Sequence, residues 1–170
     1  VEKGALVINY FGHGGESGLA HERVVTQSDV MNWSNTAHYP LFVTVTCQFT
    51  KFDNPLRITA GEQTYQNKNG GAISLVTTTR AIFISTGVEF NEALASELFG
   101  YGVDVPMPPA EAFRIAKEEN INTPLRRVVF YIGDPAMHLA FPKKSIRLTK
   151  LNGVPIAEAT DTLKALSKIK

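Results

Sequence analysis

Two kinds of apolar pattern alternate along the chain. Continuous apolar runs rich in β-branched residues at 4–11 (GALVINYF), 40–47 (PLFVTVTC) and 70–79 (GGAISLVTTT) predict buried strands. Helical periodicity predicts four helices. The first covers 26–33 (TQSDVMNW), with Thr26 or Ser28 as its cap, and the second covers 55–67, with Pro55 in its first turn. The third, 88–100, sets Phe90, Leu94 and Leu98 four apart and closes on Gly100. The fourth, 108–120, opens on prolines and carries Phe113 and Ala116. A further strand follows at 127–135 (RVVFYIGDP). Strands that alternate with helices need crossover connections, so the expected fold class is α/β, with three layers around a mainly parallel sheet.

From about Lys143 the pattern changes to polar–apolar alternation around Asn152-Gly153, a hairpin signal. The expected organisation is therefore an α/β subdomain over 1–143, then the start of a β-rich, immunoglobulin-like module over 144–170.

Composition narrows the function. The 170 residues carry 17 Lys and Arg against 16 Asp and Glu, a net charge of +1. That balance gives no electrostatic footprint for nucleic acid. The single cysteine, Cys47, excludes an internal disulfide and a cysteine-rich zinc site, and His21, His38 and His138 lack metal-ligand spacing. No apolar run reaches the length of a membrane span. The chain opens without methionine and almost directly on a strand, so it reads as a piece of a longer protein.

In open α/β sheets, ligands bind beyond the carboxyl ends of the strands. His13 and Cys47 each stand at such an end, about one strand–helix–strand unit apart. A thiol attacks a carbonyl as thiolate or with a base at hand, and imidazole is the natural base near neutral pH. Addition creates an oxyanion that needs fixed N–H donors, and the Gly14 and Cys47 amides are the candidates. Side chains at Gly14 or Gly15 are expected to obstruct a substrate. Candidate cleft residues are Gly15, Glu16, Gln48, Thr78, Thr79 and Arg80. Asp53, ahead of Asn54-Pro55, reads as a helix N-cap, and Trp33 as core.

The segments NYFGHGGESGLAHERVVTQSDV (9–30) and PLFVTVTCQFTKFDNP (40–55), with the late YIGDPAMHLAFP (131–142), resemble the catalytic domain of gingipain-type (C25) cysteine peptidases. That resemblance implies a caspase-like fold, Cys47 as nucleophile, His13 as general base and acid, Gly14 and Cys47 as oxyanion hole, and no cofactor. It also implies an acid upstream of the histidine that orients the ring. Only Glu2 precedes His13, at the far end of the strand, so the orienting acid is expected outside this chain. HERVVTQSDV, TCQFTKFDNP, GGAISLVTTTR and LNGVPIAEATDTLKALSK further resemble the PorU-type branch, the surface signal peptidases of type IX secretion in Bacteroidetes. The branch implies polypeptide substrates bearing a C-terminal sorting domain, secretion-system surface partners, the outer face of the outer membrane, and transfer of the acyl group to an amine.

Other readings of the same residues stay open. A lone Cys at a strand end serves as a small buried hydrophobe, and a His among glycines as a turn residue. The chain would then be a non-catalytic caspase-like scaffold or binding module, and a third reading makes Cys47 a redox switch.

Overall fold

The structure is a computed structural model and describes residues 1–100, 106–120, 127–142 and 148–160. Its centre is a four-stranded sheet of β1 (Val7–Tyr10), β5 (Leu41–Thr44), β6 (Ser74–Thr78) and β7 (Val129–Ile132), in the order β1-β5-β6-β7. The first three strands are parallel and β7 runs antiparallel to β6. Helices α1 (Gln27–Asn32) and α2 (Ala60–Gln66) cover one face. Helices α3 (Ile84–Leu98) and α4 (Pro109–Asn120) cover the other. Alternation along the strands divides the core accordingly. Phe42 and Leu75 pack with Leu19, Phe49 and Ala60 on the first face, and Leu41, Val43 and Val76 with Phe90, Leu94 and Phe113 on the second.

The sequence expectations fail at element ends and at one edge. Helix α2 starts at Ala60, five residues after Pro55. The cause is a capping box, in which Thr59 accepts from the Glu62 N–H and the Glu62 carboxylate accepts from the Thr59 N–H. Thr26 and Asp29 build the same device on α1, with Thr26 rather than Ser28 as the cap. Helix α3 begins at Ile84, four residues early, behind an N-cap, Phe83, that makes no side-chain cap bond. It ends with Phe99, not Gly100, as C-cap. Strand β1 is only half-buried because it lies at the edge of the described sheet, where Asn9 is exposed and donates to Asn91 at 2.9 Å.

The loop after His13 is more ordered than its polar sequence suggested. Strands β2 (Gly14–Gly15), β3 (Gly18–Leu19) and β4 (Val25–Thr26) form a small antiparallel sheet, pinned to the core by the buried Leu19. Near the carboxyl end of the chain, β8 (Lys150–Leu151) and β9 (Val154–Pro155) pair across Asn152-Gly153, both at positive φ. The expected boundary at 143–144 and the tail at 161–170 lie outside the described residues.

Candidate active site

The last paired residues of β1 and β5 are Tyr10 and Thr44, directly opposite each other. His13 and Cys47 follow them by the same three residues, so both leave the same end of the sheet on neighbouring strands. They line one pocket of about 140 Å³, together with Gly12 and Thr46. His13 is exposed and Cys47 half-buried. His13 also borders a second, wider pocket of about 1050 Å³ over β2–β4, which includes Gly14 and Gly15.

Each arm is held by its backbone. The His13 carbonyl accepts from the Tyr10 hydroxyl at 2.8 Å and from the Ala20 N–H at 2.7 Å. The Ala20 bond extends the β2–β3 register by one position, with His13 opposite Ala20. Alternation then turns the Gly14 N–H, one residue on, away from β3. On the other arm, Val45 and Thr46 are buried, Cys47 follows, and Gln48 takes a left-handed φ of 52° that reverses the chain. Phe49 and Thr50 then return to the core, where the Phe49 carbonyl accepts from Gly61 at 3.0 Å and the Thr50 N–H donates to Thr78 at 3.1 Å. Cys47 therefore projects from a tight turn anchored on both sides. Among the described residues its N–H makes no backbone hydrogen bond.

Two tethers join the arms. Next to the pocket, the Thr46 hydroxyl donates to the Gly12 carbonyl at 2.6 Å, and the Thr78 hydroxyl donates to the Thr46 carbonyl. Behind it, Glu16, whose side chain is 16% exposed, meets Lys51 at 3.2 Å, Asn54 at 3.4 Å and Arg57 at 3.6 Å. Its backbone carbonyl also accepts from the Ala60 N–H at 2.8 Å.

These contacts reassign several residues proposed for the cleft. Glu16 lines neither pocket; its carboxylate neutralises cations of the loop after Cys47. Thr78 and Thr79 are buried and line neither pocket: the Thr78 hydroxyl supports the Cys47 arm through the Thr46 carbonyl, and the Thr79 N–H donates to the Val128 carbonyl at 2.9 Å. Gln48 lines neither pocket and donates its N–H to the Arg80 carbonyl at 3.5 Å. Arg80 pairs with Asp53, Nη1 to Oδ1 at 2.9 Å, so Asp53 is an ion-pair partner and not a helix cap. That guanidinium holds the Asp53 carboxyl below the usual carboxylate range. Glu2 is occupied at the opposite end of β1, accepting from the Ser34 N–H at 2.9 Å. Trp33 is half-buried and lies against Phe42, with ring centroids 5.8 Å apart.

Gly14 is also glycine for a different reason. A Cβ there would stand 2.7 Å from Thr46 Oγ1 and 2.8 Å from its Cγ2, so the clash is with the protein itself. At Gly15 a Cβ meets nothing within 4 Å, and the space lies on the wide-pocket side. Sequence reading passed over Thr46, Val45, Phe83 and Gly87. Gly87 was legible in principle, as an isolated glycine inside a helical pattern.

A thiol and an imidazole on one pocket, with two backbone N–H groups near them, is the equipment of acyl transfer through a cysteine. The comparisons agree with that class. The sequence matches peptidase family C25 over residues 1–140. The fold is similar to that of the Arg-specific cysteine proteinase gingipain R (RgpB), with a TM-score of 0.70 and 14% identity over 81% of this chain and 34% of that one. A complex of Porphyromonas gingivalis RgpB pro- and mature domains gives 0.71, 14%, 81% and 35%. A further protease structure gives 0.67, 16%, 81% and 36%. No curated protein sequence matches. The chain belongs to peptidase family C25, has the gingipain-like α/β fold, and spans about a third of the length of these solved relatives.

Proposed function

We propose that this chain carries the nucleophile and the general base of a cysteine endopeptidase. The observation behind the reading is that Cys47 and His13 line one pocket from equivalent positions beyond two adjacent parallel strands. In the reaction, His13 takes the proton of the Cys47 thiol, and Sγ attacks the carbonyl carbon of the substrate. The oxyanion is held by the Gly14 and Cys47 N–H groups. His13 gives its proton to the departing amine as the C–N bond breaks, which leaves a thioester on Cys47. Water or an incoming amine then attacks the thioester and returns the thiol.

The motifs at 21–30, 46–55, 70–80 and 151–168 favour the PorU-type branch. On that reading the whole protein works at the outer face of the outer membrane with other secretion-system components. It removes C-terminal sorting domains from type IX secreted proteins and passes the acyl group to a surface-anchoring amine. The test is the full-length protein on a sorting-domain substrate, with and without a small primary amine. The parent protein releases the domain, and the amine adds its own mass to the new carboxyl end. Cys47→Ala and His13→Ala stop both reactions. Cleavage that never incorporates the amine confines the activity to hydrolysis, and unchanged cleavage by Cys47→Ala overturns the peptidase reading.

A further inference from the structure

Apart from His13, Cys47, and Gly12 with Thr46, whose hydroxyl is bonded to the Gly12 carbonyl, the pocket beside Cys47 is apolar. Its walls are Phe11 and Val45 from the two arms, Ile82, and the start of α3 with Phe83, Ile84 and Gly87. At about 140 Å³ it is close in size to a cavity of about 150 Å³ that takes one benzene ring. It thus has room for one aliphatic or small aromatic side chain. Phe83 and Ile84 at its rim are each 71% exposed, and Phe11 is 44% exposed. Three large apolar side chains at the mouth of one pocket mark a surface that is covered in use.

Local rules are broken at this same place. Phe83 occupies an N-cap position, where Ser, Thr, Asp or Asn would satisfy the first turn. Gly87 lies inside α3, where glycine weakens a helix relative to alanine. A Cβ on Gly87 would stand 2.9 Å from Phe11 Cε2 and 3.6 Å from Val45 Cγ1, inside the pocket. The helix gives up stability and the pocket keeps its depth; departures of this kind concentrate at functional sites. Among the described residues no Asp or Glu lines the pocket, and the two acids flanking the nucleophile turn, Glu16 and Asp53, are already paired with Lys51, Arg57 and Arg80.

We infer that this pocket takes an uncharged, apolar side chain from the residue that is acylated onto Cys47, and that Gly87 sets the size it admits. The preference is the opposite of the Arg specificity of the gingipain R relative. The inference rests on the peptidase reading, because it assigns the pocket to the residue whose carbonyl Cys47 attacks.

The test measures affinity on the full-length Cys47→Ala protein, with peptides that differ only at that residue (Leu, Ala or Arg). Leu binds at least tenfold tighter than Arg. In Gly87→Ala, which improves helix propensity, the Leu-to-Ala preference falls at least fivefold while the melting temperature does not fall. Equal affinity for Leu and Arg, absence of binding by both included, overturns the inference. So does tighter binding of Arg, or an unchanged Leu-to-Ala ratio in Gly87→Ala. Since affinity is read without turnover, loss of all cleavage in the parent enzyme counts against the peptidase reading alone.

Discussion

Thr46 occupies the space that a side chain on Gly14 would need, and its hydroxyl holds the Gly12 carbonyl at 2.6 Å. The residue before the thiol is thus clasped by the two residues that flank the histidine. A contact on either side of His13 fixes that arm against Cys47 more directly than the sheet, whose pairing ends three residues earlier. Positioning of this kind is where a small displacement is costly to a reaction.

Thr46→Val keeps the shape and removes the donor. Loss of the hydrogen bond to Gly12 is expected to cost about 1–2 kcal/mol of stability, measured by urea unfolding. Turnover of the full-length enzyme should fall roughly 10- to 100-fold with KM little changed, as for loss of orientation without loss of binding. Thr46→Ser, which restores the hydroxyl, should recover most of the turnover. Equal turnover in all three proteins would remove Thr46 from any positioning role.

The two neighbouring glycines should behave differently. Gly14→Ala forces a Cβ against Thr46 and is expected to destabilise by about 1–3 kcal/mol. Gly15→Ala meets open space and should stay within about 0.5 kcal/mol of the parent. Because the Gly14 penalty comes from one neighbour, Gly14→Ala combined with Thr46→Ala should cost less than the sum of the single changes in a double-mutant cycle.

Gln48 holds a left-handed backbone that only glycine adopts freely. Gln48→Gly should lie within about 1 kcal/mol of the parent in chemical denaturation, whereas the β-branched Gln48→Val should lose about 1–3 kcal/mol. Matching losses for both variants would show that the side chain, not the turn, matters there.

The Asp53–Arg80 pair gives a pH signature. Hydrogen bonding to Arg80 lowers the Asp53 pKa below its unfolded value of about 3.9. A lowered carboxylate contributes stability above the unfolded pKa, and the contribution fades as pH falls through the folded value. Melting temperatures from pH 5 down to 2 should therefore drop less steeply for Asp53→Asn than for the parent. Both groups are exposed, so 1 M salt should shrink the difference.

The layers of the fold were legible because runs such as LFVT and SLVTT have nowhere to go but the middle of a sheet. The placement of His13 and Cys47 at neighbouring strand ends was legible as well, since strand ends follow from strand positions. Chain reversals and long-range polar contacts were not. The cap on α2 depends on the Thr59–Glu62 pair, and the eye goes first to Pro55, a stronger local signal. Glu16 reads as a solvated loop residue until folding brings Lys51 and Arg57, more than thirty residues on, beside it. Gly14 reads as clearance for a substrate until Thr46, on the other arm, is seen to fill that space.

Acylation of Cys47, with His13 as its base, would leave a covalent trace on the protein. The most direct measurement is intact mass spectrometry of the full-length protein, quenched in acid within the first turnover of a polypeptide substrate. A transient adduct with the mass of the acyl fragment should map to the peptide containing Cys47. It should be absent from Cys47→Ala and should form at least about 100-fold more slowly in His13→Ala. Cleavage of the same bond by Cys47→Ala at the parent rate, with no adduct in either protein, would show that Cys47 is not the nucleophile.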